Sequence, residues 1–464
     1  KSTVDYEVEM LSGADWITED MSRAASTHTH HYVVAPNETY DIREAQIVFV
    51  DKEKATLADT VTIRQTYMNA ILVARNEYEV DKSNRKLDFK VHANVNIKVI
   101  VDVDWIKQME SRALTEYALS FNVEENQDNK GREGTITIKE IDGSLTQTIK
   151  VKQRGLNDIP YLTFKAEAEQ TLTMTKAIET LEYSVNEGDW CELGENIVEF
   201  GGKLGNLRIR GKSRMGTGDW DYSSICFGNS TKVSSSGDIR TLINYEKYNS
   251  VSTENACFRG LFVNCTQLTS VPELPAEVLA ERCYINMFLG CTNLIFAPEL
   301  PATKIPLGAY SSMFTGCTSM VTAPELPGTS LGESCYYEMF ANCTSLIFAP
   351  KILPANALTN YCYYNMFAGC TSLINAPTLP AISLGDGCYK GMFSGCINLI
   401  DTPELPATEL AHSCYSYMFS GCTSLIDTPE LPAISLETDC YEGMFSGCTS
   451  LIEVPELPAT TLKF

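Results

Sequence analysis

The chain has 464 residues, enough for three or four domains, and a formal net charge of −23 at pH 7. This acidic balance argues against nucleic acid as a partner, because phosphates require a basic protein face. No apolar run approaches the roughly 18 residues of a bilayer-spanning helix, so the sequence predicts no transmembrane segment. The chain opens at Lys1 within strand-like sequence, which we interpret as an exported protein whose signal has been removed.

Residues 1–155 contain a weak internal repeat whose copies lie 88 or 89 residues apart. Trp16-Ile17, for example, returns as Trp105-Ile106. Around these anchors apolar and polar residues alternate with the period of two that half-buried strands show. The pattern predicts two β-sandwich modules, at residues 1–67 and 68–155, of which the first is truncated and lacks its opening strands.

A second pair of anchors carries a family resemblance. Arg43-Glu44 returns as Arg132-Glu133, and the second copy closes with a Val-x-Gln phrase at residues 151–153. Together with the Trp-Ile corner, these motifs resemble the BACON domain, a Bacteroidetes module named for a suspected carbohydrate-binding role. The resemblance implies either sugar binding or a spacer role. We interpret Trp16 and Trp105 as core anchors, with sugar-binding platforms as the alternative.

Residues 156–250 form a third predicted unit. Strand-like pieces at Tyr161–Phe164, Leu181–Val185 and Leu207–Arg210 are separated by glycine-rich turns. These phrases look like the β-sandwich that often stands just before repeats of the kind that follow. We expect this sandwich to cover the first repeat, which would otherwise expose an apolar end.

From residue 251 onward the chain repeats a phrase of the form Cys-Tyr-x-x-Met-Phe-x-Gly-Cys, followed by an apolar run that ends at proline. A fixed period of this length predicts stacked units, each unable to bury its apolar face without its neighbours. The step is 26 residues, once 27, and the second cysteine of the phrase falls at Cys265, Cys291, Cys317, Cys343, Cys370, Cys396, Cys422 and Cys448.

The sequence of each repeat predicts one short helix and one short strand. A stretch such as Cys283–Phe288 is too short for an isolated helix, so we expect a single helical turn held by packing. A run such as Leu294–Ala297 is expected to form a parallel strand that Pro298 ends. Only Gly or Asn precedes the second cysteine, which predicts a left-handed residue at each helix end. These residues are Asn264, Gly290, Gly316, Asn342, Gly369, Gly395, Gly421 and Gly447.

The units Met339–Leu346 and Met418–Leu425 resemble the BspA-like leucine-rich repeats of Bacteroidetes surface proteins. That resemblance implies a right-handed solenoid that serves adhesion or protein contact. The predicted fold is therefore multidomain and β-rich. Tandem immunoglobulin-like β-sandwich modules are followed, over residues 251–464, by an α/β leucine-rich-repeat solenoid with short parallel strands and short helices.

Fifteen of the 17 cysteines occupy two positions of the repeat. Ala309 stands at the first position in one repeat, although Cys317 remains at the second. Because Ala is the next small apolar residue, both positions are predicted to be core packing sites with reduced thiols. Disulfides and a metal are the alternatives, and zinc would need Cys-x-x-Cys pairs that the sequence lacks. The structural repeat positions are Cys291, Cys317, Cys343, Cys370, Cys396, Cys422 and Cys448.

The sequence carries no motif that marks an active site. Five histidines leave few options for acid–base chemistry, and Cys414 near His412 is one cysteine in a row of similar ones. A metal site at His28 and His30 stays open as an alternative to an exposed loop. A pair of catalytic carboxylates also stays open, because Asp and Glu are plentiful. We expect a protein that is not an enzyme and has no cofactor.

One variable position of the repeat is predicted to face solvent, because the residues on either side of it stay apolar. It carries Ser270, Phe296, Thr322, Phe348, Asn375, Asp401, Asp427 and Glu453. Residues 251–464 hold nineteen acidic and six basic side chains, a balance of −13. The acidic face is either a solvated surface that opposes aggregation or a docking strip for a basic protein or a divalent cation.

The expected function is non-catalytic binding or adhesion at the bacterial surface, with a lipid anchor to the outer membrane through a removed N-terminal segment. A host or matrix protein is the expected partner. A glycan-binding role in a surface polysaccharide-capture system and a purely structural stalk are the alternatives. The predicted ligand-binding residues are Phe296, Phe348, Asp401, Asp427 and Glu453.

Overall fold

The computed structural model of the chain forms two compact units, Lys1–Leu156 and Asn157–Phe464. Helix is scarce in the described part, where α1 spans Thr241–Asn244 and two 3-10 turns span Gly202–Leu204 and Tyr248–Ser250. The protein is thus β-rich, with several separate sheets. The structure describes residues 6–10, 17–19, 30, 32–35, 43–52, 58–65, 69–73, 76–80, 82, 84–109, 117–155, 158–212, 222–255, 257–453 and 455–462.

The first part of the N-terminal unit contains a three-stranded antiparallel sheet in the order β1-β4-β5 and a β2-β3 pair. Its described core consists of Ile17, Ala45 and Ile47. The strands are β1 (Tyr6–Met10), β2 (Ile17–Glu19), β3 (Tyr32–Val34), β4 (Arg43–Asp51) and β5 (Ala58–Gln65).

The second part of this unit is a sandwich of two four-stranded sheets, β10-β11-β8-β6 and β7-β13-β12-β9. Strand alternation builds its core: Ile136 and Ile138 of β12 are buried, whereas Thr137 between them is not. The strands are β6 (Ile71–Val73), β7 (Glu77–Val80), β8 (Arg85–Ala93), β9 (Ile97–Val101), β10 (Ile106–Met109), β11 (Tyr117–Val123), β12 (Arg132–Glu140) and β13 (Thr146–Gln153).

Strand pairing reproduces the internal repeat that the sequence indicates. Arg43 lies opposite Gln65 in the β4-β5 hairpin, and Arg132 lies opposite Gln153 in the β12-β13 hairpin. The same two residue types therefore close equivalent hairpins about 88 residues apart.

The C-terminal unit begins with another two-sheet sandwich, in the orders β17-β16-β19-β14-β21 and β18-β15-β20. Phe164, Phe200 and Phe227 meet in its core, with ring centroids 5.6–6.5 Å apart. The strands are β14 (Leu162–Ala166), β15 (Gln170–Met174), β16 (Glu182–Val185), β17 (Cys191–Glu192), β18 (Val198–Phe200), β19 (Leu207–Arg210), β20 (Ile225–Phe227) and β21 (Val233–Ser236).

This sandwich joins the first repeat through backbone hydrogen bonds. The Val233 N–H donates to the Gln267 carbonyl over 2.9 Å, and the Ile225 N–H donates to the Leu261 carbonyl over 2.8 Å. The Cys265 thiol donates in turn to the Ile225 carbonyl over 3.1 Å. One continuous hydrophobic core runs from the sandwich into the repeats.

The repeats stack as coils, and equivalent residues lie on top of one another. Neighbouring ring centroids in the two aromatic columns are 5.3–5.8 Å apart and nearly parallel. Stacking on the adjacent copy supplies the cover that a single coil lacks. The two columns are Phe258, Tyr284, Tyr310, Tyr336, Tyr363, Tyr389, Tyr415 and Tyr441, and Phe262, Phe288, Phe314, Phe340, Phe367, Phe393, Phe419 and Phe445.

The predicted short helices are wrong. In residues 282–291 every second N–H donates to the next coil: the Tyr284 N–H donates to the Ala309 carbonyl over 3.0 Å. The intervening N–H groups close turns, as when Met287 donates to the Tyr284 carbonyl over 3.2 Å. A helix would direct every donor to its own chain four residues back. Half of these N–H groups donate to carbonyls of the next coil instead, so the stretch is a series of turns. We call this stretch of each coil the turn wall.

The predicted left-handed residues are confirmed at all eight positions, with φ between 58° and 78°. They do not end helices, however. Left-handed residues recur every four residues along the turn wall, as at Arg282 (φ 56°), Asn286 (φ 55°) and Gly290 (φ 73°). Each one turns the chain and breaks any helical run.

The predicted four-residue strands are also wrong. Leu294–Ala297 forms no strand, and only an isolated parallel bridge joins Phe296 to Thr322. The Leu294 N–H closes a turn to Cys291 and Pro298 has no N–H, so few donors remain for a ladder. The parallel strands of the described array lie elsewhere and are two residues long: β22 (Lys304–Ile305), β23 (Ser330–Leu331), β24 (Ser435–Leu436) and β25 (Thr461–Leu462).

Candidate functional site

An aliphatic column and a variable column run side by side along the coils, between the buried leucine and the proline of each coil. We call these two columns the outer strip. The aliphatic column is well exposed at several coils, from 40% at Ile400 to 81% at Ile452. Each member directly precedes the variable residue of its own coil. The members are Ile295, Val321, Ile347, Ile374, Ile400, Ile426 and Ile452.

The variable column reaches solvent as predicted, but the aliphatic residue before it does so as well. Ile295 is exposed, whereas Phe296 beside it is half-buried. Strict alternation of faces requires a continuous strand, and these residues form only isolated bridges. Two successive side chains consequently reach the surface between Leu294 and Pro298, both of which are buried.

Phe296 and Phe348 lie in one column, two coils apart. Parallel bridges link Phe296 to Thr322 and Thr322 to Phe348. The coil spacing of 5.3–5.8 Å seen in the aromatic columns places the two positions about 11 Å apart. Both rings are half-buried, so each combines contact with its own coil and contact with solvent.

The acidic members of the variable column lie toward the C-terminal end of the array. Asp401, Asp427 and Glu453 are all exposed, and none of them pairs with a cation among the described residues. Carboxylates without a basic neighbour can receive a cation from a partner and can steer that partner during encounter. The outer strip thus combines exposed aliphatic groups, two partly exposed rings and free acidic groups.

The repeat cysteines are structural. The predicted burial is confirmed for every repeat cysteine except the half-buried Cys448. Second-position thiols donate to the carbonyl of a phenylalanine in the preceding coil: Cys317 to Phe288 over 3.2 Å and Cys370 to Phe340 over 3.1 Å. Ala309 is fully buried at the first position, as expected of a packing site.

Burial also opposes thiolate formation. It raises the pKa of the Cys343 thiol to about 12, and it does the same for Cys414. His412 lies near Cys414 in sequence, but its Nε2 is 3.9 Å from an Asp439 carboxylate oxygen. Neither thiol has the lowered pKa that an activated nucleophile requires.

In the second N-terminal module, three of the sequence anchors meet. Trp105 is only 8% exposed, which confirms it as a core residue. The Arg132 guanidinium lies 4.4 Å from the centroid of its ring, and Arg132 Nε donates to Gln153 Oε1 over 2.8 Å. The indole is therefore covered and offers no open platform to a sugar. Trp16 lies outside the described residues.

The histidine cluster gives no support to a metal site. His28 lies outside the described residues, and the His30 ring packs against Phe49 with centroids 5.5 Å apart. No group of three candidate ligands capable of holding a metal occurs within the described ranges. The described helices include none long and apolar enough to cross a membrane.

Sequence reasoning missed an aromatic patch on the turn wall. Tyr337 and Tyr364 stack with centroids 4.7 Å apart, and Tyr361 meets Tyr364 edge-on at 6.1 Å. We call these three residues the tyrosine patch. An alignment of the repeats could have revealed it, because the other repeats place Ala, Arg, Gly, Ser or Asp where Tyr361 stands.

Comparison with known families finds a match within the N-terminal unit. Residues 6–66 and 86–154 match the BACON family, described as "Putative binding domain, N-terminal". These two segments cover about a quarter of the chain, so the similarity concerns the N-terminal modules. No curated protein matches the chain.

Proposed function

We propose that this chain is a non-catalytic binding protein of the bacterial surface, in which the stacked coils form a leucine-rich-repeat solenoid of the BspA-like kind. The outer strip binds a protein of the host or of its matrix. The BACON match supports a binding role for the N-terminal modules, and the acidic outer strip supports one for the array. Export to the surface and a lipid anchor in the outer membrane belong to the same proposal.

The observation that carries the proposal is the composition of the outer strip. Large aliphatic side chains recur along the strip, exposed at Ile295 beside Phe296 and half-buried at Ile347 beside Phe348. Contiguous exposed apolar surface is costly in water unless a partner covers it. Aromatic anchors surrounded by aliphatic and charged side chains are typical of protein-binding surfaces.

The test is the double substitution Phe296→Thr and Phe348→Thr. Thr322 occupies the same column in the intervening coil and makes the same bridges, so Thr is compatible with this backbone. We expect binding to at least one of fibronectin, laminin, collagen or mucin, and an affinity about tenfold weaker in the variant. The melting temperature should stay close to that of the parent chain.

A matched control is available on another column. Ile382 and Ile434 are 63% and 65% exposed and also lie two coils apart, with Thr408 at the equivalent position between them. Their replacement by Thr removes a similar exposed apolar area and should leave binding unchanged. Equal losses in both variants would contradict a specific role for the outer strip. Binding on a glycan array, with none to the four proteins, would favour the polysaccharide-capture alternative.

A further inference from the structure

The strongest unexplained feature of the turn wall is the backbone strain at Tyr361. Its φ is +56°, and bulky residues rarely adopt a left-handed conformation. Gly308 and Gly387 occupy the equivalent positions of two other coils, where the conformation costs little. A tyrosine here adds strain that a glycine would avoid.

Core packing does not account for this tyrosine. The Tyr361 ring is 40% exposed and lies over Gly387, where a side chain would come within 2.7 Å of the ring. One face of the ring therefore rests on the next coil, and much of the rest meets solvent. The contact with Gly387 leaves much of the ring open, and strained backbone positions cluster at ligand-contacting sites.

Three acidic residues adjoin the tyrosine patch, together with one cation, Lys390, whose carbonyl accepts the Asn365 N–H. Glu338 directly follows Tyr337, and exposed Glu333 lies earlier in the same coil. The Tyr361 N–H donates to the carbonyl of Asp386 over 2.9 Å, so this exposed acid belongs to the adjoining coil. Burial and the charge of Glu338 raise the pKa of Tyr337 to about 12, consistent with a negative local potential.

The same wall already holds one ammonium group above a tyrosine. Lys390 Nζ lies 6.0 Å from the centroid of Tyr417, which is 38% exposed and also left-handed. Tyrosine faces attract cations through the ring quadrupole, and neighbouring carboxylates strengthen that attraction. A cation gains from the charge of these acidic groups, whereas a neutral glycan would use them only as hydrogen-bond acceptors.

We propose that the tyrosine patch is a binding site for a cationic side chain, arginine or lysine, presented by a segment of a partner protein. This inference rests on the proposed function in assuming a protein partner, but it concerns the turn wall and not the outer strip. The cation would lie over the ring of Tyr361, and the ring of Tyr364 would form one wall of the site. Glu338 and Asp386 supply the opposite charge.

The test uses the full chain and a fluorescent peptide, Gly-Arg-Gly-Arg-Gly, with Gly-Gln-Gly-Gln-Gly as the neutral probe. The variant Tyr361→Gly with Tyr364→Ser takes the residues that Gly387 and Ser311 supply at equivalent positions, so its backbone is compatible with the fold. We expect the arginine peptide to bind the parent chain more tightly than the glutamine peptide. Its affinity should fall about tenfold in the variant, as expected for the loss of two ring contacts.

Tyr417→Gly is the matched control, because it removes another exposed left-handed tyrosine outside the patch. It should change the affinity for the arginine peptide less than twofold. Equal affinity for both peptides would overturn the proposal, as would arginine binding that the patch variant retains. Oligosaccharide binding that the patch variant abolishes would replace the cation with a glycan. The Phe296→Thr, Phe348→Thr variant should still bind the arginine peptide, which separates failure of the outer strip from failure of the patch.

Discussion

The sandwich of residues 69–155 and the coils of residues 257–462 bury apolar side chains by different means. In the sandwich, mostly antiparallel strands satisfy the backbone, and each core residue meets different neighbours, as Phe121 meets Phe89 at 5.4 Å. In the coils, a residue meets its own copies above and below, as Phe367 meets Phe340 and Phe393. A change in the sandwich therefore disturbs one unique site, whereas a change in a coil disturbs a column that already shows which residues are tolerated.

Alkaline pH should produce the largest difference in stability between the two regions. Residues 1–156 contain no cysteine, whereas burial raises the pKa of Cys291, Cys343 and Cys362 in the array to about 12. A thiol whose pKa is higher in the folded state than in the unfolded state contributes stability that is fully present below about pH 9. This stability is lost as the pH rises toward 12. At pH 10.5 each such thiol should cost about 2 kcal/mol of stability.

We therefore expect the C-terminal unit to unfold between about pH 9 and 11 while the N-terminal unit stays folded. Thermal melts across this range, followed by near-ultraviolet circular dichroism and limited proteolysis, provide the measurement. A melt at pH 7.5 is the control. Parallel loss of both units would contradict the assignment of the effect to buried thiols.

A left-handed position in the coils gives the next largest effect. At Gly395, φ is 75° and an added Cβ would meet only Gly369, at an ordinary 3.7 Å, so space is available. Gly395→Asn should cost less than about 1 kcal/mol, because Asn tolerates this conformation and occurs naturally at Asn342 in the same column. Gly395→Val should cost about 2–3 kcal/mol, because a β-branched residue is strained there. Equal denaturation midpoints for the two variants would show that the left-handed conformation does not determine the cost of a substitution at this position.

The smallest effect distinguishes the two cysteine positions. Cys335→Ala should cost less than about 1 kcal/mol, because Ala309 already occupies that position in another coil. Cys370→Ala should cost about 1–2 kcal/mol, because it also removes the thiol donor to the Phe340 carbonyl. Urea denaturation measures both. Titration of the unfolded chain without reductant should find at least fifteen free thiols, and a count of one or two would mean that the cysteines form disulfides.

Alternation and repetition in the sequence predicted a large part of the fold. The 89-residue displacement of Arg43 and Arg132 appears as two equivalent hairpins, and the 26-residue period appears as columns of stacked rings. The prediction of left-handed residues was right because Gly and Asn enter the left-handed region at the lowest cost. These features follow from local chemistry repeated along the chain.

The sequence did not predict the path of the chain within a coil. A helix was expected over Cys283–Phe288, but hydrogen bonds to the next coil determine the backbone path of the turn wall. The candidate sites depend on the same contacts, since Ile295 and Phe296 both reach the surface where no continuous strand forms, and the left-handed Tyr361 donates its N–H to the next coil. Sequence by itself therefore determined the period, the small residues and the buried columns, because each depends on side-chain size and backbone freedom. Tertiary structure alone decided which backbone donors stay in a coil and which side chains reach its surface, because both depend on the adjacent coil.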